Sequence, residues 1–254
     1  MIKLIKIEFL KLFSGRKTPY LLYGLFALLV LLLVSFLRIF ASESSFGNVF
    51  KSTSDTFSIF AVMVGVVLTL VSFNQEIQQK TIKTLLVTPI KRSEILFSKL
   101  LVSLSVSFSI LIILACTSFL ATSLLFGFFT EGAYSSSGEN IQAFSAGLVQ
   151  MLTAFFTTIF YSCLILCLFL ITNSLSFTLI GILLAKGLGE LISRSLLAHH
   201  NAFLYYSPLG MLNILNPLTS TQAISGYLLQ LVLVLIYSTI IFILSCKLFD
   251  NKEF

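Results

Sequence analysis

Six runs of mainly apolar residues, most of them about 20 residues long and each bounded by charges or turn-forming clusters, constrain this chain more than any other feature. A helix rises 1.5 Å per residue, so about 20 apolar residues cross the hydrocarbon core of a bilayer. The runs occupy about 20–40, 57–73, 99–126, 144–171, 175–196 and 223–246. The first is too long for a signal-peptide core and lacks a small-residue cleavage site, so it is read as a retained span. A soluble domain needs roughly a quarter of its residues charged. Here 10% are charged, 57% are hydrophobic and the mean hydropathy is +1.03. The predicted fold is an all-α integral membrane protein, one domain over 1–254 with six transmembrane helices.

Basic residues set the expected orientation, because cytoplasmic connectors carry an excess of Lys and Arg. Lys3, Lys6, Lys11, Arg16 and Lys17 precede the first run; Lys80, Lys83, Lys91, Arg92 and Lys99 fall between the second and third; Lys247 and Lys252 follow the sixth. Most of the 16 basic residues therefore share one face, which is predicted to be cytoplasmic and to hold both termini. The opposite connectors are balanced or acidic, with Arg38, Glu43, Lys51 and Asp55 in one and Glu131 and Glu139 beside Ser135-Ser136-Ser137-Gly138 in another. A net charge of +6 would suggest a nucleic-acid partner if it formed one patch on a folded domain. Confined to short connectors, it implies none.

Two cytoplasmic segments have more character than a connector needs. In the opening stretch, 1–18, Ile2, Ile5, Phe9, Leu12 and Phe13 fall on one helical side and Lys3, Lys6, Glu8 and Lys11 on the other, the pattern of a helix lying among lipid headgroups. A plain membrane anchor would account for it. The segment 74–98 reads as a short helix, a break and a re-entry. Glu76 and Lys80 stand four apart in the order that favours an ion pair, and Ile82, Leu85 and Leu86 form an apolar patch. Pro89 ends the helix, Ser93 can cap the next, and Glu94 sits at the positive end of its dipole. This is the best cytoplasmic docking surface in the sequence.

These residues resemble the ABC-2 type transporter permease family. The opening Glu8 with Lys11 and Leu12, and then Glu76, Thr81, Leu85, Leu86, Pro89, Arg92 and Lys99 after the second span, match the family's pattern. The sequence departs from it at Lys80, where the family often has glycine, which makes a helical turn more natural than a tight one. The resemblance covers the whole chain and implies a permease subunit, an exporter, whose short helix between spans two and three couples to a separate ABC ATPase. It also implies a second permease subunit, identical or related, ATP and Mg on the ATPase, and a home in the cytoplasmic membrane of a prokaryote. A phosphate-cradling loop needs Gly-x-x-x-x-Gly-Lys-Ser/Thr, and Gly15-Arg16-Lys17-Thr18 lacks both of its glycines. No cofactor is expected on this chain.

Charges inside spans are functional candidates by default, because burying them in lipid is costly. Lys186, Glu190 and Arg194 stand at four-residue spacing in the fifth run, so they share a helix face. Mutual pairing and snorkelling would explain them, and so would a place on the translocation path. Residues 197–222 contain Tyr205, Tyr206, Pro208 and Pro217 and read as an external segment that dips into the interface. His199 and His200 there have no nearby carboxylate, and Cys163 and Cys167 share a face with no further ligand, so no metal site is expected. Membrane proteases and metal-dependent lipid synthases need converging His or acidic groups that the spans lack, and no catalytic residue is assigned. An ion-coupled carrier or channel is the alternative; its marks would be repeats or broken helices at the midplane.

Overall fold

The computed structural model describes residues 2–13, 18–40, 45–78, 92–127, 137–198 and 224–251. Seven helices account for nearly all of them, and no strand occurs among the described residues. They are α1 (Ile2–Phe13), α2 (Thr18–Phe40), α3 (Phe46–Gln78), α4 (Arg92–Phe126), α5 (Ser137–Thr172), α6 (Leu175–Ala198) and α7 (Ile224–Asp250). Among the described residues, five stretches are long and apolar enough to cross a membrane: Tyr20–Phe40, Phe46–Gln75, Ser93–Phe126, Asn140–Thr172 and Leu228–Asp250. The apolar stretch found in α6, Leu175–Leu188, is shorter. The chain is a multi-pass, all-helical membrane protein.

Three helices start earlier than the hydropathy pattern predicts. α3 has 33 residues and begins at Phe46, so Lys51 and Asp55, expected in a connector, lie inside the helix. Its polar first turns satisfy themselves. Ser52 donates to the Asn48 carbonyl (2.7 Å), Thr53 and Ser54 to that of Phe50 (2.8 Å each), and Thr56 to that of Ser52 (2.9 Å). A hydroxyl bonded to its own helix no longer needs water, so a Ser/Thr-rich stretch can continue a span. α5 likewise starts at Ser137 and takes in the end of the predicted serine loop. α4 starts at Arg92, which places Glu94 in its first turn, as expected, and Lys99 well within the helix.

α5 ends where Asn173 adopts a left-handed φ of 55°, a conformation that Asn tolerates better than most residues. The Asn173 amide donates to the Phe169 carbonyl (2.9 Å), and Ser174 opens α6 by accepting from the Thr178 amide (3.2 Å). Thr172 and Thr178 join hydroxyls across the turn at 2.9 Å. This short link brings α6 back onto α5, where Gly181 faces Leu168.

Two compact units can be distinguished. Met1–Phe9, Met63–Ser105 and Phe156–Phe254 form one, and Leu10–Val62 with Val106–Phe155 the other. In the first, the rings of Phe73 on α3, Phe169 on α5 and Phe249 on α7 meet edge-on, with Phe73 at 5.7 and 5.8 Å from the other two, and all three are buried. In the second, Phe46 and Phe50 of α3 gather with Phe119 of α4 and Phe144 of α5 at centroid separations of 4.7–6.5 Å. Phe26 of α2 packs on Phe57, the Tyr23 and Ser109 hydroxyls lie 3.2 Å apart, and the Arg38 guanidinium stands over the Phe126 ring. The exposed residues of α2 and α7 include Leu21, Leu25, Leu28, Leu32, Leu228, Val232 and Leu235, while Ser54, Thr69, Ser103 and Thr157 are buried. Apolar outside and hydroxylated inside is the pattern of helices solvated by lipid.

Candidate coupling site

Unit one carries two buried polar contacts on one helix, and α4 supplies a group to both. Lys99 Nζ lies 3.3 Å from Glu8 Oε2 on α1, and the two side chains are 1% and 9% exposed. Four residues along α4, the Ser103 hydroxyl lies 3.1 Å from the Thr69 hydroxyl of α3, which is also 3.4 Å from that of Ser162 of α5. Thr69 and Ser103 are also bonded within their own helices, to the carbonyls of Gly65 (2.7 Å) and Leu100 (2.9 Å). Cross-helix hydroxyl contacts of this kind hold apolar helices in register where lipid gives no hydrophobic drive.

The Glu8–Lys99 pair corrects two sequence assignments. Glu8 was expected on the polar half of an amphipathic helix and Lys99 among connector charges; both are buried instead. Helical periodicity ranks a side chain by its neighbours on the same helix, and the partner here is on another. α1 is helical over Ile2–Phe13, and on it Lys6, Ile7 and Leu10 are exposed. The side chains of Lys11 and Leu12 lie outside the described residues.

Removing one member of a buried pair costs about 3–5 kcal/mol, because the other charge is left stranded, whereas a well-packed apolar replacement of both is often neutral.

The predicted ATPase-coupling residues are placed only in part. Glu76 falls in the last turn of α3 and Arg92 opens α4; their side chains, and all of Lys80, Thr81, Leu85, Leu86 and Pro89, lie outside the described residues. α6 is helical through Lys186, Glu190 and Arg194, which puts the three on one face. Lys186 is half-buried; the side chains of Glu190 and Arg194 are outside the described set, as are His199 and His200. No group of three or more metal-ligating residues occurs among the described residues.

The hydroxyl contacts were missed by the sequence reading. Their signal is the four-residue spacing of Lys99, Ser103 and Ser107 on α4, all buried, whereas Ser105 and Ser109 are only part-buried.

Comparison with known proteins returns no significant match among curated proteins and none among solved structures. A family described as "ABC-2 family transporter protein" matches residues 4–188, which run from α1 into α6 and contain both members of the buried ion pair. The chain belongs to the ABC-2 transporter family of membrane proteins.

Proposed function

We propose that this chain is the permease subunit of an ATP-binding-cassette exporter, and that a separate ATPase subunit, carrying ATP and Mg, drives it by alternating exposure of a path between two permease subunits. Family membership over residues 4–188 carries the reading. α6 is the fifth of six spans, the termini and segment 74–98 face the cytoplasm, and the membrane is the cytoplasmic membrane of a prokaryote; the distribution of Lys and Arg supports that orientation. Residues 79–91 join α3 to α4 on that face and form the seat for the ATPase, with Glu76 and Arg92 at its two ends. Residues 197–222 lie on the external side, and the Lys186, Glu190, Arg194 face borders the path.

Purification of the chain in mild detergent tests the assignment. An ABC ATPase is expected to copurify, and its hydrolysis to depend on the permease. A solitary protein that moves solute under an ion gradient alone would mean an ion-coupled carrier instead.

A further inference from the structure

We propose that an ordered water is bound where the N-terminal ends of α3 and α5 meet, held by the side-chain amide of Asn140 and the hydroxyl of Ser45. The inference does not depend on what the chain transports. Both residues belong to the second compact unit, and the contact of Gly47, two residues after Ser45, with the main chain of Asn140 brings them to one joint. Among the described residues, four buried side-chain polar atoms have no hydrogen-bond partner: Asn140 Nδ2 and Oδ1, Ser45 Oγ and Ser174 Oγ. Three of the four therefore lie on the two residues of this joint, and Asn140 is 1% exposed.

An enclosed amide gives up its bonds to bulk water and has to recover them elsewhere. The nearby rings do not supply them: Phe144, one turn further along α5, closes against Phe46, Phe50 and Phe119, and phenylalanine carries no polar group. Neither does α3. The Ser45 carbonyl accepts from the Val49 amide (3.1 Å), which makes Ser45 the N-cap of α3. An N-cap serine ordinarily turns its hydroxyl to an amide two or three residues on, but that of Ser45 makes no such bond. Cα–Cβ bonds in a helix tilt toward its N-terminus, so the Asn140 side chain is directed to the end of α5 beside which α3 begins.

The chemistry of the unpaired atoms selects the ligand. Nδ2 only donates and Oδ1 only accepts; since both are unpaired, exchanging them by an amide flip changes nothing. An anion would satisfy the first and repel the second, and a metal cation the reverse. Water does both, is small enough for so enclosed a side chain, and when buried makes about three hydrogen bonds to groups of this kind. The amide and the Ser45 hydroxyl together offer that number.

The test uses the full chain in detergent with nitrogen-15 in its asparagines, and reads dipolar magnetisation transfer from water to side-chain amide protons, with chemical exchange separated by comparing the laboratory and rotating frames. A cross-peak of the sign given by a bound water is expected at the Asn140 amide. Its loss in Asn140→Leu or in Asn140→Ser assigns it, and Ser45→Ala should weaken it. Asn140→Leu should also lower the unfolding midpoint, whereas removal of an amide that binds nothing would raise it. No such cross-peak at Asn140 in the unsubstituted chain would overturn the proposal, as would an Asn140→Leu midpoint at or above the native one, or a cross-peak that Ser45→Ala leaves unchanged. A native midpoint that depends on the identity of the salt at constant ionic strength, and loses that dependence in Asn140→Ser, would put an ion there in place of water and overturn it too.

Discussion

Gly47, in the first turn of α3, lies directly against the main chain of Asn140 near the start of α5, with no room between them for a side chain. A Cβ at Gly47 would overlap the Asn140 carbonyl oxygen and sit 3.0 Å from its carbonyl carbon and Cα. Backbone cannot rotate aside as a side chain can, so the helices must separate. Gly47→Ala is predicted to cost about 1–3 kcal/mol, in the range of overpacked cores. Gly24→Ala on α2, with nothing within 4 Å, should be neutral or slightly stabilising through helix propensity. Thermal unfolding in detergent should rank the two in that order; equal midpoints would mean that α3 and α5 do not approach this closely.

The ring contacts of Phe73 with Phe169 and Phe249 join α3, α5 and α7. Phe73→Ala should cost about 3–5 kcal/mol, the usual loss for a large buried ring. Leu124→Ala, at a position 83% exposed, removes an exposed side chain and should change stability by less than about 0.5 kcal/mol. Retention of the native unfolding midpoint in Phe73→Ala would contradict the packing.

Thr69 makes a weaker contribution that a double-mutant cycle can isolate. Thr69→Val keeps the shape but removes the hydroxyl that meets those of Ser103 and Ser162, and Ser103 keeps its bond to the Leu100 carbonyl. Cross-helix bonds in membranes average about 0.6 kcal/mol, so a coupling energy with Ser103→Ala of that order, and under about 2 kcal/mol, is expected. Additive single effects would show that the 3.1 Å contact carries no energy.

Which parts of this structure the sequence could reveal depends on where the deciding interaction lies. α2 matches its predicted apolar run at Tyr20–Phe40, because Lys17 before it and the polar residues after Phe40 mark the limits locally. The early start of α3 was hidden, because a Ser/Thr-rich stretch reads as a solvated connector until its hydroxyls are seen to bond to their own helix carbonyls. Glu8 and Lys99 were each singled out as residues of a family pattern, yet their meeting across 91 positions was not legible. Nothing in either local segment points to the other; only the packing of α1 on α4 does.

The last prediction concerns the ends of the segment between α3 and α4. If Glu76 and Arg92 receive the ATPase, Glu76→Ala and Arg92→Ala should lower copurification of the ATPase several-fold while leaving membrane insertion and the unfolding midpoint unchanged. Both positions lie at helix ends, where Ala is a good helix former. Leu85→Ala should act in the same direction through lost apolar contact with the partner, by about 1–2 kcal/mol of binding if its side chain is fully enclosed there. Measured together, insertion and copurification separate the two roles open to these residues. A loss of insertion would make them determinants of topology, whereas a selective loss of the ATPase would place the energy-transducing contact on the short stretch that leads directly into the helix holding Lys99.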